Sequence, residues 1–160
     1  LSNVQALTNA GSAYLFGLNM KLFIDFSKNW SLTSTLNYTL GQDEDANPLR
    51  HVSPAFGATN LIFKTKRLKL NLFADYSDGF ENYQLAPEEQ SKPHIYAIDN
   101  KGLPYSPLWF TLGFKSSYQI TKIAQLNFGV ENILDSRYRT YSSGIVAPGR
   151  NWIIALRANF

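Results

Sequence analysis

The segment Arg150-Asn-Trp-Ile-Ile-Ala-Leu-Arg-Ala-Asn-Phe160 decides the reading of this chain. Side chains of a strand point alternately to its two faces, so Trp152, Ile154, Leu156, Ala158 and Phe160 form one continuous apolar face. The opposite face is mixed and carries Arg157 and Asn159. An amphipathic strand of this kind, ending on an aromatic residue, fits the wall of a barrel in lipid better than a sheet packed in water.

The same period of two recurs upstream. The spacing predicts strands over Tyr14–Phe26, Trp30–Gly41, Ala55–Lys64, Leu68–Tyr76, Leu108–Tyr118 and Lys122–Ile133, which with the last makes seven. From Tyr14 to Phe26 every even position is apolar. Opposed faces carry Gly17, Asn19, Lys21 and Asp25 there, and Ser31, Thr33, Thr35, Asn37 and Thr39 in the second strand. In Ala55–Lys64 the phase stays open, because Thr59, Leu61 and Phe63 compete with Phe56, Ala58 and Ile62. Most of these strands exceed the usual five to six residues and match the roughly 9–11 residues of a tilted membrane strand.

Connections alternate in length. Short links at 27–29, 65–67 and 121–122 alternate with long polar ones at 42–54, 80–104 and 135–149. Short turns on one rim and long loops on the other are the habit of bacterial outer-membrane barrels, with the short turns in the periplasm. Tyr14, Trp30, Tyr76, Tyr105, Tyr118 and Trp152 fall where interfacial aromatic girdles are expected. The expected fold class is therefore all-β: an antiparallel transmembrane β-barrel segment in the bacterial outer membrane. Seven strands of this length cannot close around a useful lumen and such barrels use an even count, so earlier strands are expected before this segment. Residues 1–10 read as a loop or the tail of a preceding strand.

Composition sets the exclusions. The 160 residues include no cysteine, so disulfides and thiolate chemistry are out. Mean hydropathy is −0.21, as expected when lipid-facing and lumen-facing residues alternate. No stretch approaches the roughly 20 apolar residues of a transmembrane helix. The net charge of +3 is scattered apart from Lys64, Lys66, Arg67 and Lys69, so no nucleic acid is expected as a partner. Asp43-Glu-Asp45 lacks the glycine and spaced ligands of a calcium loop. His51 and His94 have no partner at metal spacing. Ser53 beside His51 lacks a nucleophile-elbow context. No catalytic residue, metal or cofactor is expected, and the chain is not read as an enzyme.

Val130-Glu-Asn-Ile-Leu-Asp-Ser-Arg-Tyr138, then Ser143-Gly-Ile-Val-Ala-Pro-Gly-Arg-Asn151 and the terminal strand, together resemble the C-terminal signature of TonB-dependent outer-membrane receptors. Asn47-Pro-Leu-Arg-His-Val-Ser-Pro-Ala-Phe-Gly57 is similar to a proline-containing loop of that family, so the resemblance runs from about Ala13 to Phe160. It implies a barrel of about 22 strands with a plugged lumen, of which residues 1–160 supply the last part, the plug and earlier strands being absent. It also implies energy-coupled uptake of a scarce ligand, a ferric siderophore first and otherwise cobalamin or an oligosaccharide. The implied partners are outer-membrane lipid, the barrel-assembly machinery, the rest of the receptor and, through its N-terminal part, the TonB complex. Trp152, Ile154, Leu156, Ala158 and Phe160 match the family's assembly signal. Arg137, Arg139, Tyr141 and Arg150 flank or lie in the last external loop, where the guanidinium forks either pair with Glu131, Asp135 or neighbouring loops or meet an anionic ligand or lipopolysaccharide phosphates. Tyr138, Trp109 and Phe73 could add an aromatic surface. The rival readings are an uncoupled porin or structural outer-membrane barrel, and a soluble β-barrel ligand-binding module.

Overall fold

A computed structural model describes residues 11–159. Its strands are β1 (Ala13–Asp25), β2 (Trp30–Asp43), β3 (Phe56–Lys64), β4 (Leu68–Ser77), β5 (Ala97–Ile98), β6 (Pro104–Tyr105), β7 (Trp109–Gln119), β8 (Ala124–Glu131) and β9 (Asn151–Ala158). Seven of them form one antiparallel sheet in the order β1-β2-β3-β4-β7-β8-β9, and β5-β6 is a separate small ribbon. Every neighbour in the large sheet is also the next long strand in sequence, so the topology is a pure meander. Among the described residues the sheet is open, with β1 and β9 as its edges. Residues 1–10 and Phe160 lie outside the described residues.

Pairing resolves the phase of β3. Trp30 faces Phe63, Leu32 faces Leu61 and Ser34 faces Thr59. On the other side Leu61 faces Leu72 and Phe63 faces Leu70. Residues directly opposite share a face, so Thr59, Leu61 and Phe63 point outward with the apolar rows, while Phe56, Ala58, Asn60 and Ile62 point inward. The other six long strands place even-numbered residues outward; β3 alone uses odd ones.

The outward face carries apolar pairs such as Leu18–Tyr38, Met20–Leu36, Leu72–Phe114 and Phe128–Ile154. Much of this outward face stays exposed, with Phe16 at 57%, Ile154 at 76% and Leu156 at 70%. In water this would be a large unburied apolar surface; in hydrocarbon it needs no cover. Tyr14, Trp30, Tyr76, Tyr118 and Trp152 take outward positions near strand ends. Tyr105 does not, because it belongs to the loop ribbon β6. The inward face is polar and laterally bonded. Asn19 donates to Asn37, Asn71 donates to Asn60 at 3.0 Å, and Ser117 donates to Asn127 at 2.6 Å.

Each short turn begins with a hydroxyl residue that closes it. Oγ of Ser27 accepts the backbone N–H groups of Asn29 and Trp30. Oγ1 of Thr65 accepts those of Arg67 and Leu68, and Oγ1 of Thr121 those of Ile123 and Ala124. A side-chain acceptor two and three residues ahead of the returning strand is the local reason these links stay tight.

The last strands are shorter than their apolar pattern. β8 stops at Glu131 because Asn132 adopts a left-handed φ of 48°, a region that asparagine tolerates. Its side chain is buried and binds the loop neck, accepting from Ser136 N–H at 2.9 Å and donating to the carbonyls of Ser136 and Pro148.

Candidate functional site at the long-loop rim

All three long connections, 44–55, 78–108 and 132–150, emerge on one rim. They interlock: Glu89 joins the first loop to the longest, and Tyr141 and Arg139 tie the last loop to the longest. The Glu89 carboxylate is 1% exposed and accepts Nε of Arg50 at 2.9 Å, Nζ of Lys92 at 2.8 Å and the hydroxyl of Tyr96 at 2.9 Å. Burial pushes the Glu89 carboxyl up, but the hydrogen bonds from Lys92, Tyr96 and Arg50 outweigh it and hold the group below the usual carboxylate range. Burial and donation to Glu89 push the Tyr96 hydroxyl well above the ordinary phenol value.

Around that charge lies a small apolar core. Leu85, Ala86 and Tyr96 are buried. Tyr141, from the last loop, packs edge-on against Phe80 with ring centroids 5.4 Å apart and tilts against Tyr96 at 6.1 Å. Burial raises the Tyr141 hydroxyl above its ordinary value as well. A 3₁₀ turn at Asn82–Gln84 closes with a reciprocal capping box between Glu81 and Gln84. Nδ2 of Asn82 reaches the carbonyl of Pro104 at 2.9 Å, joining the two halves of the longest loop. The 78–108 connection is thus a folded unit rather than a polar strap.

Below this unit, a cavity of about 300 Å³ opens among Tyr96, Trp109, Arg137, Tyr138, Arg139 and Val146. Trp109 comes from the inward face of β7 and stacks on Tyr138, with centroids 4.4 Å apart and planes 27° from parallel. Burial, followed by the nearby Asp75 charge, raises the Tyr138 hydroxyl. An aromatic platform beside two guanidinium groups can take a planar or anionic ligand group.

The sequence-derived site residues divide. Arg137 and Arg139 line the cavity with Tyr138 and Trp109. Nη1 of Arg139 donates to the carbonyls of His94 and Ile95, tying the last loop to the longest one. Tyr141 lies in the aromatic core of the loop unit instead. Arg150 lies at the loop neck, where Nε donates to the Ile133 carbonyl at 2.9 Å and its N–H reaches Oδ1 of Asp135 at 2.8 Å. That carboxylate oxygen sits 2.7 Å from where a Cβ on Gly149 would stand, so glycine leaves room for the neck. Phe73 lies deeper on the inward face; its ring occupies the space above Gly113 and receives Nζ of Lys115 at 5.0 Å from its centroid. Lys115 also pairs with Glu131 at 2.8 Å. Trp152, Ile154 and Leu156 line the outward face of β9, and Ala158 pairs with Ala124. Phe160 lies outside the described residues.

The acidic run has a local use. Asp43 accepts from the N–H groups of Asp45 and Asn47 and from Nδ2 of Asn47, closing its loop. No group of three potential metal ligands occurs among the described residues. Glu89 and Arg50 escaped sequence reading because a charged residue in a polar loop resembles any solvated one. Their pairing spans 39 positions.

No family model matches the sequence, and no curated protein does. Solved structures do match. The copper transporter OprC is 15% identical over 92% of this chain and 23% of its own, with a TM-score of 0.75. The siderophore receptor PirA from Acinetobacter baumannii is 20% identical over 92% and 22%, with a TM-score of 0.69. The ferripyoverdine receptor of the outer membrane of Pseudomonas aeruginosa is 15% identical over 92% and 20%, with a TM-score of 0.66. Over 92% of its length the chain therefore shares the fold of a segment of these proteins, spanning about a fifth of their length.

Proposed function

We propose that this chain is the C-terminal wall segment of a TonB-dependent receptor in the bacterial outer membrane, acting in energy-coupled uptake of a scarce ligand, with a ferric siderophore first among the candidates. The observation that carries it is the sheet itself. A seven-stranded meander with an apolar outward face, a polar inward face and long loops confined to one rim overlays solved receptors across 92% of the chain. Plug, earlier strands and the TonB-contacting segment belong to the remainder of such a receptor. Cobalamin and oligosaccharides are the alternative cargoes. The cavity beside Trp109, Tyr138, Arg137 and Arg139 is the place where this segment would touch an anionic cargo.

Deleting the full gene should abolish growth on a defined ferric siderophore as sole iron source, and dissipating the proton-motive force should stop uptake in the wild type. Uptake that survives dissipation would favour an uncoupled porin. The terminal strand is further proposed as the signal read by the barrel-assembly machinery. Removing Phe160 from the full-length protein should lower the fraction inserted in the outer membrane, and unchanged insertion would sink that assignment.

A further inference from the structure

The carboxylates of this segment are segregated along the barrel axis. Of its 12 acidic residues, only Asp25 lies toward the short-turn rim. That rim carries Lys28, Lys66, Arg67 and Lys122 in the three turns, with Lys64 and Lys69 at the adjoining strand ends, all exposed. Among the described residues none of the six forms an ion pair. An unpaired row of cations at one end, with the carboxylates at the other, is a surface still open to an anion.

Its depth says which anion. The last outward apolar row before the turns contains Trp30 against Phe63, rings 4.9 Å apart, and Leu68 against Tyr118. Aromatic residues at the end of an apolar band mark the headgroup boundary. Lys28 lies two residues from Trp30, Lys66 and Arg67 lie between Phe63 and Leu68, and Lys122 follows Tyr118 by four. At about 2.5 Å of depth per tilted-strand residue, the four groups lie roughly 2.5–10 Å beyond that row, from the headgroup boundary into its layer. Lysine and arginine stems also reach sideways along apolar surface while holding the charge in the polar zone.

We infer that the short-turn rim is a lipid-binding collar that selects anionic phospholipid headgroups of the periplasmic leaflet through Lys28, Lys66, Arg67 and Lys122. This rests on the orientation given under the proposed function, in which the short turns face the periplasm. Each cation near a membrane surface attracts anionic headgroups, and the effect is screened by salt.

The test uses the full-length receptor reconstituted in bilayers of mixed phosphatidylcholine and phosphatidylglycerol. Electron spin resonance of spin-labelled forms of each lipid gives the ratio of motionally restricted phosphatidylglycerol to phosphatidylcholine. The wild type should prefer phosphatidylglycerol by roughly threefold to tenfold at low salt. Lys28→Gln, Lys66→Gln, Arg67→Gln and Lys122→Gln combined should bring the ratio close to that of high salt, with heat-modifiable gel mobility confirming a folded barrel. Replacing the three lysines by arginine should keep the preference. A glutamine variant that folds and selects as the wild type does overturns the inference, as does a preference that inorganic phosphate removes at matched ionic strength. Uptake separates the two readings: the glutamine variant should still transport, whereas a failed receptor reading would show no coupled uptake in the wild type.

Discussion

The sheet and the loop unit above it obey opposite burial rules. In the sheet the large apolar residues are the exposed ones, as with Ile154 at 76%, while the inward face holds amides, hydroxyls and the Lys115–Glu131 pair. In the loop unit Leu85 and Tyr96 are shielded at 0% and 5%, and polar groups lie around them. The same chain thus folds for two solvents. The wall is sorted for hydrocarbon outside, and the loops collapse for water, gaining stability from apolar burial in the ordinary way.

Adjacent identical residues give the sharpest way to break this contrast. Ile154 points outward and Ile153 inward. In the full-length protein folded into lipid vesicles, Ile154→Arg should lower stability by about 2–4 kcal/mol, the cost of a guanidinium on the lipid face. Ile153→Arg should cost less than about 1 kcal/mol, as a partly exposed polar-face substitution. Denaturant titration reads both, and equal costs would mean that the faces are misassigned.

The loop unit should fail separately. Glu89→Ala removes the common acceptor of Arg50, Lys92 and Tyr96, and should weaken the unit by about 1–3 kcal/mol. Protease cleavage within 86–103 should accelerate while the barrel's unfolding midpoint stays fixed. A midpoint that fell in step would show loop and wall to be one cooperative unit.

Acid should mimic that substitution. The Glu89 carboxyl is held below its ordinary value of 4.5, so its contribution is complete above that value and fades as pH falls through the depressed folded one. Hydrogen-exchange protection in 85–97, corrected for the intrinsic pH dependence of exchange, should therefore fall as pH drops below the ordinary value of 4.5, and this fall should be absent in Glu89→Gln.

The smallest effect is expected at Arg139. Its guanidinium donates to two loop carbonyls near the surface, so Arg139→Ala should cost about 0.5–1.5 kcal/mol of loop docking, seen as faster exchange near His94 and Ile95. Unchanged exchange would leave the aromatic contacts of Tyr141 as the whole attachment.

Sequence alone was enough to identify seven strands, their faces in all but one case, and the alternation of turns and loops, because a period of two is a local property written into every strand. The tight turns were legible for the same reason, Ser27, Thr65 and Thr121 each acting within three residues. The phase of β3 was not, since both its faces carry apolar side chains and only pairing with Trp30, Leu32, Leu70 and Leu72 chooses between them. The end of β8 was not either, because the left-handed turn at Asn132 depends on a neck closed by Pro148, 16 positions away. The same holds for the meeting of Glu89 with Arg50 and for Trp109 lying on Tyr138. Local periodicity determined the wall, and contacts between residues far apart in sequence decided the rim, because those contacts exist only once the strands have brought the loops together.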